Sequence, residues 1–373
     1  MSHSNFHHQD LIRLQDAGRR RALALPEGID FASNDYLALA GSAALRQAAV
    51  AALTRGVALG SGGSRLLRGH TAEHAVLEEE AARFFGSEAA LFVGSGFSAN
   101  SLMLSTLPQA GDLILHDALI HASAHEGMRL SRAAHRSFAH NDVDAARDAI
   151  RRWRREGGRG TVWVVFETLY SMDGDIAPVA DFAALADGED TMMVIDEAHA
   201  VGACGPQGRG LAADLHGRDD VLVLATCGKA LGCEGALILL PETYRDFLVN
   251  RGRNFIFSTA PSPLMAEVAR SALRLVAAAD DQRTRLRTLI EATATEIAPS
   301  GFAASGSHIQ PIVLGDDRRT MAVADALRSR GFDIRGIRPP SVPDGSARLR
   351  ISITLNASEE AIAMLGDALK EIV

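Results

Sequence analysis

Short apolar runs alternate with helix-like segments from about residue 86 to about residue 240. Such runs are typical of strands buried on both faces of a parallel sheet, and their alternation with helices is typical of successive βα units. The pattern therefore predicts an α/β fold with a mostly parallel central sheet flanked by helices. Strands are expected at residues 89–93, 112–115, 162–166, 192–195, 221–225 and 236–240.

Two helices are indicated outside these strands. Thr71 is a suitable N-cap and Gly86 a suitable C-terminal stop for an amphipathic helix between them. After Pro261 and Pro263, a stretch rich in alanine, leucine and arginine predicts one extended helix to about residue 298.

The chain from Gly301 onwards predicts a small α+β unit, with helices near residues 319–330 and 358–371. Before the last helix, one strand alternates strictly between apolar and polar side chains. Its apolar face carries Leu349, Ile351 and Ile353, and its polar face carries Arg348, Arg350, Ser352 and Thr354. We expect the first face to pack in a core and the second to present an arginine to a cleft.

Length and composition limit the function classes. The 373 residues predict two or three domains and a sizeable core. The 38 Lys+Arg against 46 Asp+Glu give a net charge of −8, and the one basic cluster, at residues 151–155, is too short to indicate nucleic-acid binding. We expect an N-terminal arm (1–40), a large α/β domain (41–255), and a connecting helix with a smaller C-terminal α+β domain (256–373).

The three cysteines, at positions 204, 227 and 233, are odd in number and lack paired spacing. This pattern favours a reducing compartment and argues against a disulfide framework and against a zinc site. No apolar run approaches the roughly 18 residues of a membrane span, and the N-terminus lacks the pattern of a signal peptide. We therefore expect a cytoplasmic protein with no membrane partner and no metal.

Polar residues follow two of the predicted strands. Lys229 lies just beyond one strand, where open α/β sheets bind ligands, and a lysine there can form a Schiff base with a carbonyl compound. Asp196 and His199 follow another strand, and a buried carboxylate needs a cationic or donor partner such as a protonated pyridine nitrogen. Taken singly, a Gly-Lys pair is more often a surface loop, and Asp-Glu-Ala-His also matches a helicase box. The helicase alternative fails because the sequence has no phosphate loop of the Gly-x-x-x-x-Gly-Lys-Ser/Thr type.

A third element is the glycine turn at residues 94–100, which opens a predicted helix and suits a single phosphate. It lacks the third glycine of a dinucleotide fingerprint, and a plain tight turn explains it equally well. His121 follows the next strand and is expected over the same crevice, although a histidine there is more often structural.

Together, these elements have the chain order and approximate spacing of the fold-type I pyridoxal-phosphate enzymes. The chain resembles the α-oxoamine synthases of that group along nearly its whole length. The resemblance is carried by motifs at residues 33–37, 60–65, 94–97, 121–123, 167, 171–175, 196–199, 226–229, 257–259 and 337–343.

The resemblance implies pyridoxal 5′-phosphate as cofactor, bound covalently by Lys229. Asp196 would partner the pyridine nitrogen, His199 the 3′ oxygen, and His121 would stack on the ring. Further cofactor contacts are implied for Gly96, Phe97, Ser171, Thr226, Ser258 and Thr259. Because Ser258 or Thr259 would reach in from a second subunit, the resemblance also implies an obligate homodimer with shared active sites.

Substrate contacts are likewise implied by the resemblance. Asn34 and Arg350 match positions that hold the amino-acid carboxylate, and Arg19 and Ser341 match positions that contact the acyl donor. Between Arg21 and Asn34 the chain is shorter than in many relatives, which insert a β-hairpin there.

The stretch Ile-Arg-Pro-Pro-Ser-Val-Pro at 337–343 points to one branch of the family. That branch condenses L-alanine with pimeloyl-CoA or a pimeloyl acyl-carrier protein, with loss of carbon dioxide, in biotin biosynthesis. Another family member using glycine or serine, of the 2-amino-3-ketobutyrate CoA ligase, 5-aminolevulinate synthase or serine palmitoyltransferase type, is the alternative. Two further hypotheses are a nicotinamide oxidoreductase built on the glycine turn and a catalytically silent pyridoxal-phosphate-binding regulator.

Overall fold

The computed structural model describes residues 4–373, so the first three residues of the predicted N-terminal arm lie outside the described residues. The helices are α1 (Ser4–Asp16), α2 (Ala43–Thr54), α3 (Ala72–Phe85), α4 (Gly96–Thr106), α5 (Ala122–Leu130), α6 (Val143–Arg155), α7 (Val179–Glu189), α8 (Glu242–Arg251), α9 (Arg253–Ile256), α10 (Pro263–Ala277), α11 (Asp280–Ile297), α12 (Asp317–Ser329) and α13 (Glu359–Ile372). The strands are β1 (Ile29–Asp30), β2 (Ala89–Val93), β3 (Leu113–Asp117), β4 (Ala134–Phe138), β5 (Val162–Glu167), β6 (Met192–Asp196), β7 (Val221–Thr226), β8 (Ala236–Leu240), β9 (Ile309–Gly315), β10 (Phe332–Asp333), β11 (Arg335–Ile337) and β12 (Ala347–Ser352). Within residues 4–373, no helix combines the length and the apolar character needed to cross a bilayer.

The chain forms two compact units, each made of segments that are discontinuous in sequence. Unit 1 comprises the described residues up to Tyr36, Ser171–Asp175 and Thr284–Val373, and unit 2 comprises Leu37–Tyr170 and Ile176–Arg283. The N-terminal arm, the large α/β domain and the C-terminal domain expected from the sequence are consecutive segments, and this division remains a prediction.

Unit 2 is built around a seven-stranded sheet with the strand order β2-β8-β7-β6-β5-β3-β4. Neighbouring strands from β4 to β7 are parallel, while β8 is antiparallel to both β7 and β2. All residues of β5, β6 and β7 are buried, which explains their nearly continuous apolar sequences. The predicted α/β fold with a mostly parallel central sheet is confirmed.

The edge strand β4 is absent from the sequence prediction. Its first four residues are exposed and only Phe138 is buried. An edge strand covered by little else needs few apolar residues, so no apolar run marks it in the sequence.

Helix α3 has the predicted ends. It starts after Thr71, whose backbone N–H donates to His74 Nδ1 at 3.2 Å, and it stops at Gly86, which adopts the left-handed conformation with φ 77°. Glycine is favoured there because it has no Cβ to oppose a positive φ.

The predicted single helix after Pro263 is wrong, since the structure has two helices, α10 and α11, that are separated at Ala278 and Ala279. Buried Arg283 donates to the Val276 carbonyl at the end of α10 with a distance of 2.7 Å, and it also pairs with Asp280 at the start of α11. Side-chain capping replaces the glycine or proline that would have marked this break in the sequence.

Unit 1 contains the three-stranded antiparallel sheet β11-β12-β9, the short parallel pair β1-β10, and helices α12 and α13. The alternation predicted for β12 is present, but all six of its residues are buried. The polar face of β12 therefore does not lie open to solvent, and Arg348 and Arg350 are enclosed by hydrogen-bonding partners.

Candidate active site

Two adjacent strand ends place the main candidate residues of unit 2. Asp196 is the last residue of β6, and Lys229 follows the end of β7, which is the parallel neighbour of β6. Lys229 Nζ and His199 Nε2 lie 2.7 Å apart, which is a hydrogen-bond distance. The structure thus brings together, at the carboxyl edge of the sheet, residues that the sequence placed at separate strand ends.

The loop that carries Lys229 is closed by backbone hydrogen bonds. Cys227 N–H donates to the Gly235 carbonyl at 2.9 Å, and Cys233 N–H donates to the Cys227 carbonyl at 3.0 Å. Gly232 has φ 66°, and a Cβ on it would lie 2.4 Å from the Ala40 backbone nitrogen. The glycine is therefore required by both conformation and space, and the loop holds Lys229 in one place.

The carboxylate of Asp196 is buried and is bound by neutral donors. The Ala198 N–H donates to Oδ1 at 2.9 Å, and Asn100 Nδ2 donates to Oδ2 at 2.7 Å. These donors orient the carboxylate without neutralising its charge. Such a group suits a cationic partner such as a protonated ring nitrogen.

Asn100 connects Asp196 to His121. Its Nδ2 also donates to Ser123 Oγ at 3.0 Å, and that hydroxyl lies 2.8 Å from His121 Nδ1. Asn100 and Ser123 lie within the segments 94–100 and 121–123, but the sequence indicated no role for either residue. The available signal was an asparagine on helix α4, next to the buried residues Ala99 and Leu102. Its amide is 2% exposed in the structure and so needs hydrogen-bond partners.

His121 is the N-cap of α5, and its ring lies close enough to Asp196 and Lys229 to be influenced by their charges. Desolvation lowers the pKa of His121, the negative charge of Asp196 opposes that effect, and the positive charge of Lys229 adds to it. A neutral imidazole at this position is suited to contacting the face of an aromatic ring.

A phosphate would fit the start of helix α4. Ser95 caps the helix, and Gly96 and Phe97 form its first turn, where backbone N–H groups have no acceptor within the helix. A Cβ on Gly96 would lie 3.5 Å from Thr226 Oγ1, so the Thr226 hydroxyl lies beside these amides. Amides, a hydroxyl and the positive end of a helix dipole together favour an anion.

The segment that contains Ser258 and Thr259 is exposed, and Ser258 Oγ donates to the Thr259 carbonyl at 3.3 Å. The contact of these two residues with a cofactor in another subunit stays a prediction.

Unit 1 brings together three further predicted residues. Buried Arg350 donates from Nε to the Ser171 carbonyl at 2.6 Å, from Nη2 to Asn34 Oδ1 at 2.9 Å, and from Nη1 to Ser352 Oγ at 2.8 Å. All three acceptors are neutral. Because a guanidinium has five N–H donors, each terminal nitrogen of Arg350 retains one for a carboxylate. Arg348, on the same strand face, differs because it already pairs with Asp173.

Arg19 and Ser341 are placed in different contacts. Arg19 donates to Asp317 at 2.6 Å and to Asp344 at 2.7 Å. Ser341 instead accepts a hydrogen bond from Arg21 Nη2 at 3.1 Å. The predicted role of Arg19 toward the acyl donor therefore stays a prediction, and its guanidinium is already shared between two carboxylates.

The family model "Aminotransferase class I and II" matches residues 26–369. The 8-amino-7-oxononanoate synthase of Acidithiobacillus ferrooxidans (strain ATCC 53993 / BNL-5-31) is 40% identical over 349 residues, which cover 92% of this chain and 88% of that protein. The protein of the same name from Burkholderia thailandensis is 41% identical over 353 residues, with 92% and 88% covered.

Among solved structures, the serine palmitoyltransferase of Sphingomonas wittichii has a TM-score of 0.90 at 26% identity, covering 100% of this chain and 97% of that one. The family model that matches residues 26–369 and the relatives near 40% identity indicate the same family. The chain belongs to the aminotransferase class I and II family of fold-type I pyridoxal-phosphate enzymes and, within it, to the α-oxoamine synthases that include the 8-amino-7-oxononanoate synthases.

Proposed function

We propose that this chain catalyses the reaction for which its curated relatives are named, the synthesis of 8-amino-7-oxononanoate in biotin biosynthesis. L-alanine is joined through its Cα to the carbonyl carbon of a pimeloyl thioester, while the thiol leaves and the alanine carboxylate departs as carbon dioxide. The observation that carries the proposal is the pairing of Lys229 with His199 at 2.7 Å beside the buried Asp196. The choice of substrates is supported by the relatives at about 40% identity.

Pyridoxal phosphate fits the chemistry of unit 2. Lys229 offers an amine for its aldehyde, Asp196 offers a carboxylate held by neutral donors, and the first turn of α4 with Thr226 offers donors for its phosphate. When bound, the cofactor supplies an electron sink for the negative charge that develops at the amino-acid Cα.

The protein groups then orient the reactants and move protons. Lys229 Nζ takes the proton from the amino-acid Cα and returns a proton to the product, and His199 Nε2 holds that amine in place. Asp196 would hold the cofactor's ring nitrogen in its protonated form through its buried carboxylate. Arg350 and Asn34 bind the carboxylate of the amino acid.

Arg350→Gln is expected to raise the KM for L-alanine by about 10- to 100-fold, because a charge-assisted hydrogen-bonded pair with the carboxylate is lost. Steady-state kinetics with saturating acyl donor measure this effect. Met364→Gln, an exposed position on α13, is the control and leaves the KM unchanged. An unchanged KM for alanine in Arg350→Gln would remove Arg350 from the substrate site.

The active unit is a homodimer with shared active sites. Two neighbouring segments of unit 2, near residues 59–67 and 257–262, support this. Ser61 Oγ donates to the Ala260 carbonyl at 2.8 Å, and Ser262 Oγ donates to the Leu59 carbonyl at 2.6 Å. They expose large apolar side chains at Leu59, Leu66, Leu67 and Phe257. Large apolar side chains exposed on neighbouring segments are typical of a protein interface, and Ser258 and Thr259 lie in the second of these segments.

The double variant Leu67→Asp/Phe257→Asp is expected to shift the protein from dimer to monomer and to lose most activity, since two charges would be buried in the interface. Sedimentation equilibrium measures the mass against the 39.6 kDa chain. Met364→Asp, exposed in unit 1, is the matched control. A monomeric wild-type protein with full activity contradicts the shared site.

A second candidate is a serine palmitoyltransferase-type reaction, which is favoured by the TM-score of 0.90 to that enzyme. The solved 8-amino-7-oxononanoate synthase of Francisella tularensis has a lower TM-score of 0.78. It is 27% identical, with 92% of this chain and 97% of that one covered. Thiol release measured for alanine, glycine and serine, each with pimeloyl-CoA, pimeloyl acyl-carrier protein and palmitoyl-CoA, separates the candidates. The proposal requires the highest kcat/KM for alanine with a pimeloyl thioester, and preference for glycine or serine overturns it. The cytoplasmic location is also part of the proposal, and it is supported by the three cysteines without paired spacing, which favour a reducing compartment.

A further inference from the structure

Two cysteines border the loop that carries Lys229. Cys227 directly follows Thr226 at the end of β7, and Cys233 lies four residues beyond Lys229. The Cys233 N–H donates to the Cys227 carbonyl at 3.0 Å, so the loop returns to the point where it began. A backbone hydrogen bond of this kind leaves two Cα atoms about 5–6 Å apart, which is within the range of about 4.4–6.8 Å that disulfides span.

The side chains of the two cysteines also interact. The pKa of Cys227 is raised well above its ordinary value, first by a hydrogen bond with the Cys233 side chain, then by burial and by the negative charge of an ionised Cys233. The backbone contact and the side-chain contact therefore place the same two residues together. Their positions lie six apart along the chain, which matches no common cysteine motif, so the sequence alone did not indicate the pair.

The two thiols differ in their access to solvent. Cys227 is 0% exposed, whereas Cys233 is partly exposed. An oxidant therefore reaches Cys233 first, and Cys227 is the protected neighbour that can resolve the oxidised form. The third cysteine, Cys204, has Glu197 and Arg283 as its charged neighbours, and burial raises its pKa to about 12. Cys204 is therefore poorly suited to the same reaction.

We propose that Cys227 and Cys233 form a reversible disulfide that closes the Lys229 loop in response to hydrogen peroxide. The Cys233 thiolate attacks one peroxide oxygen and breaks the O–O bond, which leaves a sulfenic acid on Cys233 and releases hydroxide that is protonated to water. The Cys227 sulfur then attacks the Cys233 sulfur, the S–O bond breaks, and hydroxide leaves with the Cys227 proton as a second water. The two thiols together lose two electrons and two protons, and the peroxide is reduced to water.

The disulfide is expected to lower turnover, an effect that rests on the proposed function of Lys229. A disulfide holds its sulfurs about 2.05 Å apart, closer than unbonded thiols approach, so it draws the two ends of the loop together. Thr226 precedes one end of the loop, and Lys229 lies between the ends. Because a displacement of about 1 Å can lower a rate by about 100-fold, we expect oxidation of the holoenzyme to lower kcat by about 10- to 100-fold.

Peptide mass spectrometry tests the bond independently of activity. The reduced holoenzyme is treated with hydrogen peroxide and then denatured in iodoacetamide, which releases the cofactor and blocks the remaining thiols. Trypsin cleavage after Lys229 places the two cysteines on separate peptides, residues 219–229 and 230–245. The expected product is these two peptides joined by a disulfide, with Cys204 blocked. Three blocked cysteines after peroxide treatment, or a sulfinic acid on Cys233 without linked peptides, overturn the proposal.

Turnover is measured on the same samples. The kcat of the oxidised wild type is expected to recover when dithiothreitol is added, and Cys204→Ser is expected to respond to peroxide as the wild type does. Cys233→Ser is expected to give no linked peptides and to keep its own starting kcat in peroxide. Linked peptides with an unchanged kcat overturn the effect on the Lys229 loop. A reduced protein that turns over no thioester contradicts the proposed function instead, and the linked peptides still decide whether the disulfide forms.

Discussion

Lys229→Ala is expected to lower turnover by at least about 10⁴-fold and to remove the visible absorption band of the cofactor-supplemented protein. In the proposed function, Lys229 carries the cofactor and moves the Cα proton, and residues 226–232 contain no other side-chain amine. Its neighbour His199 has no primary amine, so it cannot form a Schiff base in place of Lys229. Absorption spectra and the rate of thiol release measure the two effects separately.

The sequence allows a direct chemical version of this test, because the chain contains only two lysines, Lys229 and Lys370. Borohydride reduction of the holoenzyme followed by peptide mass spectrometry is expected to show the cofactor's mass on the peptide with Lys229. Lys370, which lies on α13 and pairs with Asp367 at 3.0 Å, is the internal control. Turnover retained in Lys229→Ala, or label found on Lys370 instead, contradicts the assignment of Lys229.

The sequence was sufficient to predict the sheet of unit 2 and the residues at its strand ends. Strands buried on both faces must be apolar, so a polar residue directly after one, such as Asp196, is noticeable without a structure. Parallel pairing then brings such strand ends to the same edge. For this reason Asp196, His199 and Lys229 could be predicted as neighbours although they are distant along the chain.

Contacts between irregular segments could not be predicted in the same way. The arginine triplet and the turn after β11 have no periodicity, and which arginine meets Ser341 depends on the path of the backbone through Gly18. Resemblance implies a substrate contact for Arg19, which stays a prediction, but nothing in the sequence indicated that Arg19 pairs with Asp317 and Asp344. The role of Asn100 was also hidden, because a hydrogen bond to a residue on a distant strand leaves no local pattern in the sequence.

The second large effect is expected for Asp196→Asn, which should lower kcat by at least about 10³-fold while cofactor remains bound to Lys229. Asparagine has nearly the same shape as aspartate but no charge, so it cannot hold a proton on the ring nitrogen. The loss of charge is not accompanied by a large structural cost. The Asn100 amide can rotate to present its oxygen to the new amide group, and the Ser123 hydroxyl, now its partner at 3.0 Å, can donate as well as accept.

Asn100→Ala provides the matched control for this charge effect, since it removes the hydrogen bond to Asp196 Oδ2 but keeps the carboxylate. We expect it to lower kcat by only about 10-fold, as for one lost hydrogen bond to a charged group. Melting temperature and cofactor content establish that both variants are folded and loaded. If Asp196→Asn loses no more activity than Asn100→Ala, Asp196 acts only as a hydrogen-bond acceptor. A much larger loss in Asp196→Asn than in Asn100→Ala means that the negative charge itself is what the reaction requires at the end of β6.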